Sequence, residues 1–209
     1  MYTLYWSKGS ANMACHAALI EIGAPYRLVE IDADKGEQKS AAYLKLNPHA
    51  RVPTLVLGDG RVMYESAAIL LFLCETHPEA RLMPAVGGAG RAHFLQWLFY
   101  LTNTVQEALI NWWHADNYME SDAERKALVA SAERRLARMW QLLDGVLERE
   151  GPYLLGPEFS AIDIFLTMVA HWSRKMPTPA RRYPHIGRLM ELVEGRPAYR
   201  RMMTEEGNT

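Results

Sequence analysis

Strand-forming segments are confined to the first third of this 209-residue chain. Residues 2–6, 26–31, 54–57 and 62–64 are short runs rich in β-branched and aromatic side chains, the composition of pleated, half-buried strands. Beyond them the hydrophobic spacing is helical. A chain patterned this way folds as a small α/β unit followed by an all-helical one.

Within the first part, Ser7-Lys8-Gly9-Ser10 reads as a turn. Residues 11–22 read as a helix with Met13, Ala17 and Ile20 on one face, stopped by Gly23. Strand, helix, strand with short links predicts a βαβ unit and parallel pairing. Residues 32–38 are a polar loop and residues 40–45 a short helix. Gly58-Asp59-Gly60 predicts a hairpin turn between the third and fourth strands, and an apolar helix is expected over 66–77. Residues 78–90, with two prolines and three glycines, read as a linker. The expected domains are residues 1–80 and 88–209. In the second, helices are predicted over 91–117, 122–150 and 160–174, with two shorter ones after Pro184 and Pro197. Ser160-Ala161-Ile162-Asp163 is a capping box that starts a buried helix.

Composition removes several classes of function. Twenty-three Lys+Arg against 24 Asp+Glu give a net charge of −1, so no global basic field exists to hold nucleic acid or an anionic membrane. Two cysteines are too few for a disulfide scaffold. The longest apolar run, residues 67–74, is too short to span a bilayer. The N-terminus lacks the basic start and apolar core of a signal peptide, which makes a cytoplasmic protein the expectation. No His pair has zinc-type spacing with Cys or Glu, so no metal site is expected.

Three junctions could carry chemistry. Ser10 stands where the first strand turns into the first helix, a place where backbone N–H groups and the helix dipole favour an anion. Its hydroxyl either donates to such an anion or caps the helix. Val52-Pro53 precedes the third strand; a cis bond there would turn the Val52 N–H and C=O outward toward a ligand backbone. Glu65-Ser66 opens the helix after the fourth strand, where Ser66 could take a carboxylate and Glu65 an ammonium. Together they suit the zwitterionic head of an amino acid, or serve as an N-cap with a solvated neighbour. Cys15 and Cys74 lie within predicted helices and read as buried, inert thiols.

Taken in order, the junction Ser, the Val-Pro, the Glu-Ser and the late Ser-x-x-Asp box resemble the cytosolic glutathione S-transferases. The segments Leu4-Tyr5-Trp6-Ser7-Lys8-Gly9-Ser10 and Asn47-Pro48-His49-Ala50-Arg51-Val52-Pro53-Thr54-Leu55 are similar to the bacterial members. The resemblance implies a thioredoxin-like N-terminal domain and an all-helical C-terminal domain lining the electrophile pocket. It implies glutathione as co-substrate, its γ-glutamyl head at Glu65 and Ser66 and its cysteinyl backbone on Val52 beside a cis Pro53. Ser10 matches the catalytic residue of serine-type members, with Tyr5 and Asn12 as weaker donors. Ala11 stands where cysteine-type members carry their Cys. The glycine carboxylate would fall to Arg51, with Lys35 and Gln38 within reach. Of Tyr100, Trp97, Asn111, Trp112, Trp113 and His114, some would supply an apolar wall for a small electrophile and about half would be ordinary core, since helix faces need large apolar residues in any case. A homodimer is implied. A glutathione-binding protein without turnover, a disulfide reductase and a dehalogenase are the alternatives on the same fold.

Overall fold

Alternation along Tyr2–Trp6 (β1) buries Leu4 and Trp6 on one face and leaves Tyr5 half-buried on the other. This computed structural model describes residues 1–208. Strand β1 pairs in parallel with β2 (Tyr26–Glu30) and antiparallel with β3 (Thr54–Val56), which pairs antiparallel with β4 (Val62–Tyr64). The sheet order is β2-β1-β3-β4. Parallel β1 and β2 are joined by helix α1 (Asn12–Ile22), as such a crossover requires. Gly23 ends α1 at φ 72°, a left-handed conformation that glycine adopts without a Cβ penalty, and its N–H reaches the Ile20 carbonyl at 3.0 Å. A single turn, α2 (Ala41–Leu44), is started by the Ser40 hydroxyl accepting the Tyr43 N–H at 3.2 Å. Helix α3 (Ser66–Thr76) follows the hairpin. Cys15 and Leu19 of α1 and Ile69 and Leu73 of α3 pack with Leu4, Leu55 and Leu57 of the sheet region into one core.

The second unit is helical throughout its described elements. Helix α4 (Arg91–Tyr100) passes through a π-helical segment, Leu101–Gln106, into α5 (Glu107–Trp113). The predicted 91–117 helix is therefore one path with a widened middle, and it stops at Trp113. At the widening the Thr102 hydroxyl donates to the Leu98 carbonyl at 3.0 Å, competing with the ladder. Helix α6 (Asp122–Glu150) starts with a Ser121/Glu124 capping box and packs against α5 and α8 (Pro184–Glu194). Helix α7 (Ala161–Trp172) is buried from Ala161 to Ala170, so its apolar residues go all the way round. Its Ser160/Asp163 capping box is present as expected. The buried Asp163 carboxylate accepts the Leu154 N–H at 2.9 Å and the Ser160 N–H at 2.8 Å, while burial pushes its carboxyl up to about 6.

The domain boundaries differ from the sequence reading at one end. The compact units are Met1–Met83 with the segment from Gly195 onward, and Pro84–Glu194. Helix α9 (Pro197–Glu205) therefore belongs with the sheet and not with the other helices. It packs on α1, where Arg196 holds Glu21 through two bonds of 2.6 and 2.9 Å. An amphipathic pattern states that a helix needs a partner but not which one. Among the described residues no helix is long and apolar enough to cross a membrane.

Candidate functional site

The sheet register gathers the three junctions. Tyr5 of β1 faces Thr54 of β3, and Thr54 faces Tyr64 of β4, so the end of β1, the start of β3 and the end of β4 lie at one sheet edge. Trp6 faces Glu30, which brings the end of β2 to that edge as well. The chain leaves these ends as residues 7–11, 51–53, 65–66 and 31–38. All the residues singled out for glutathione, Ser10, Arg51, Val52, Pro53, Glu65, Ser66 and Lys35, follow or precede a strand at this one edge.

Ser10 lies in a turn closed by its N–H to the Ser7 carbonyl at 3.2 Å. The helix starts two residues on, at Asn12, with Ala11 in the capping position and no side-chain cap. Ser10 is thus not the cap that one reading of the sequence made it. Its half-buried hydroxyl has no partner among the described residues. Asn12 is fully buried with both ends of its amide engaged, to the Ser7 N–H at 3.1 Å and to Glu206 at 2.9 Å. Tyr5 packs edge-on against Tyr43, ring centroids 5.8 Å apart.

The Val52–Pro53 bond is cis, as expected. The segment before it is anchored from behind. Tyr43 donates its hydroxyl to the Arg51 carbonyl at 2.7 Å, and Asn47 Nδ2 donates to the same oxygen at 2.9 Å. Both also bond the buried Thr54 hydroxyl, at 2.8 and 3.2 Å. The Val52 N–H and C=O have no partner among the described residues. The Arg51 side chain is exposed. Lys35 is exposed and paired with Asp32 at 2.7 Å.

Glu65 holds φ 73° and ψ 109°, a conformation that is strained for a residue with a Cβ and that persists where the surroundings over-determine it. Its side chain is exposed, and its carbonyl accepts the Ile69 N–H at 2.9 Å, closing the first turn of α3. Ser66, 6% exposed, has a hydroxyl without a partner among the described residues. Two helix N-termini, of α1 and α3, therefore open on one sheet edge, each with a serine hydroxyl beside its free N–H groups. The Cys15 thiol donates to the Ser66 carbonyl at 3.3 Å, and burial together with the Glu206 carboxylate pushes that thiol up, away from ionisation.

In the second unit, Trp97 and Tyr100 meet edge-on at 5.6 Å, and Trp112 and Trp113 at 5.1 Å. Trp112 is tied to Glu133 at 2.9 Å and Trp113 to the Trp172 carbonyl at 3.0 Å, so both indoles take part in that unit's own packing. Asn111 bonds Glu107, and His114 is exposed. Sequence reasoning missed the Tyr43–Asn47–Thr54 brace and the tail residue Glu206. The first had a signal in the polar Asn47 and Thr54 flanking the Val-Pro; the second had none.

Residues 13–76 match the family model described as glutathione S-transferase, N-terminal domain, and residues 123–201 the one described as glutathione S-transferase, C-terminal domain. Those two segments span most of the chain, which belongs to the glutathione S-transferase family. Glutathione S-transferase GstA of Escherichia coli O157:H7 is 25% identical over 205 residues, covering 98% of both chains. The solved structure of BphK, a bacterial GST in a ternary complex, is 31% identical with a TM-score of 0.82, covering 98% of this chain and 99% of its own. A glutathione transferase homolog from Sulfitobacter, solved with bound glutathione, has a TM-score of 0.91 at 27% identity, covering 100% and 99%.

Proposed function

We propose that this chain is a bacterial glutathione S-transferase of serine type, in which Ser10 stabilises the glutathione thiolate. A free thiol has a pKa of about 8.5, so little is ionised at neutral pH. A hydrogen bond from the Ser10 hydroxyl and the N-terminus of α1 both favour the anion. The thiol proton leaves to water. The sulfur then attacks an electrophilic carbon, a C–S bond forms, and a leaving group such as halide departs with the bonding electrons.

The rest of glutathione is read onto the same edge. Ser66, with the N–H groups that open α3, receives the γ-glutamyl carboxylate, and Glu65 its ammonium. The unpartnered Val52 N–H and C=O pair with the cysteinyl backbone. Arg51 takes the glycine carboxylate, with Lys35 at the same end. We read the protein as cytoplasmic and as a homodimer.

The observation that carries this reading is the register: four strand ends and two helix N-termini meet at one edge, where the Ser10 and Ser66 hydroxyls and the Val52 backbone have no partner among the described residues. The test is thiol conjugation of a generic aromatic halide by the purified protein. Turnover dependent on glutathione is the expected result. Retention on immobilised glutathione with no turnover would mean a binding protein.

A further inference from the structure

Asn12 and Glu206 are 194 positions apart in sequence and joined in the interior, Asn12 Nδ2 donating to Glu206 Oε1 at 2.9 Å. The other end of the Asn12 amide accepts the Ser7 N–H at 3.1 Å, and the Ser7 carbonyl accepts the Ser10 N–H at 3.2 Å. An unbroken series of hydrogen bonds thus runs from the end of the chain to the backbone of Ser10.

The carboxylate at its root is itself held. Glu206 Oε1 also pairs with His16 Nδ1 at 2.9 Å, and Oε2 accepts from Asn208 Nδ2 at 3.0 Å. His16 Nε2 pairs with Glu205 at 3.0 Å, and Glu205 takes the Tyr26 hydroxyl at 2.8 Å and Arg201 at 2.6 Å. The Asn208 N–H is fixed on the Met203 carbonyl at 2.9 Å, and a Cβ on Gly9 would stand 3.7 Å from Asn208 Oδ1. The tail therefore backs the turn as well as bonding to it. Burying a carboxylate is costly, and a plug of apolar residues would close the same gap at lower cost. A fully bonded buried carboxylate instead fixes one geometry.

We propose that Glu206 is a positioning residue for Ser10. Acting through Asn12 and the Ser7 backbone, it holds the 7–10 turn in the geometry that aims the Ser10 hydroxyl at the glutathione sulfur. The proposal rests on the reading of Ser10 given above. Glu206 and Asn12 are both buried, with the Glu206 carboxylate and both ends of the Asn12 amide engaged within the protein, so each acts through the turn and not on the substrate.

The test uses the full chain in five forms: wild type, Glu206→Ala, Glu206→Gln, Ser10→Ala and the double variant Ser10→Ala/Glu206→Ala. Each is assayed for kcat, KM for glutathione and the pH–rate profile, with activity scaled to the folded fraction. Loss of an orienting partner predicts a kcat lowered by about tenfold in Glu206→Ala. KM for glutathione stays within about twofold of wild type, because uniform binding is untouched. The basic shift of the pH–rate profile matches in direction that of Ser10→Ala. Glu206→Gln, which keeps an acceptor oxygen for Asn12, recovers most of the loss, and the double variant Ser10→Ala/Glu206→Ala is no slower than Ser10→Ala alone. A merely structural role would lower the folded fraction without moving the profile of the folded molecules. A slow Ser10→Ala beside a wild-type profile in Glu206→Ala overturns the positioning role alone. A wild-type profile in Ser10→Ala overturns the reading of Ser10 and this proposal with it.

Discussion

The Cys15 thiol donates to the Ser66 carbonyl at 3.3 Å, so the opening turns of α1 and α3 are joined directly to each other. The two helices that face the proposed ligand with their N-termini are thereby held in one relation, by a thiol used as a donor and not as a nucleophile. Burial and the Glu206 carboxylate keep it protonated.

Cys15 is accordingly inert in the folded protein. Iodoacetamide at pH 8 is expected to leave Cys15 unlabelled and activity intact, while the same treatment in denaturant labels both Cys15 and Cys74. Mass spectrometry of the two samples reads this directly. Rapid native labelling of Cys15 with loss of activity would contradict it.

Ser66→Ala is expected to weaken glutathione binding more than it slows turnover at saturation. A hydrogen bond to a charged group is worth about 1.5–3 kcal/mol, about tenfold or more in Kd. Calorimetry on the two proteins decides it, and equal affinities would remove Ser66 from the γ-glutamyl site.

His171 carries a pH signature. Burial, with Arg174 and Arg181 nearby, pushes its imidazole down to about 4. The unfolded chain titrates at about 6.5. Stability from this group is therefore complete above pH 6.5 and is lost as the pH falls toward the folded value of about 4. Asp163, pushed up to about 6, acts with the opposite sign in the same window, so wild type and His171→Gln are compared at each pH. Wild type is expected to lose Tm more steeply than the variant between pH 6.5 and 4; parallel curves would show that His171 is not the source.

Much of the fold was legible because it is written locally. Gly23 stops α1, Ser160 and Asp163 start α7, and alternation in residues 2–6 marks β1, each within a few positions. The Val52–Pro53 cis bond was legible only through the family resemblance, since local sequence leaves trans favoured. What escaped depends on long-range partners. Nothing near Asn12 announces Glu206, and nothing in residues 197–205 says that they pack on α1 instead of α8. Serine hydroxyls at Ser10 and Ser66 were read correctly as junction residues. That Ser10 does not cap α1 follows from where the helix starts, which propensity fixes only to within a residue or two.

The protein is expected to be a homodimer. Val62 and Tyr64 of β4 are exposed at 36% and 37%, and Phe99 of α4 at 52%, apolar surface that an interface would cover. A stable interface of the obligate kind buries about 2,000 Å² or more. Sedimentation at low micromolar concentration should give twice the 23.8 kDa chain mass. A mass of one chain, independent of concentration, would contradict this.

Ultraviolet titration of the thiolate in the binary complex shows whether the Ser10 hydroxyl stabilises the thiolate of bound glutathione. In wild type the bound thiol should ionise well below the free value of about 8.5. In Ser10→Ala the loss of one charge-assisted hydrogen bond, about 1.5–3 kcal/mol, should raise it by about one to two pH units with glutathione affinity little changed. Superimposable titrations of wild type and Ser10→Ala would mean that the Ser10 hydroxyl does not stabilise the thiolate.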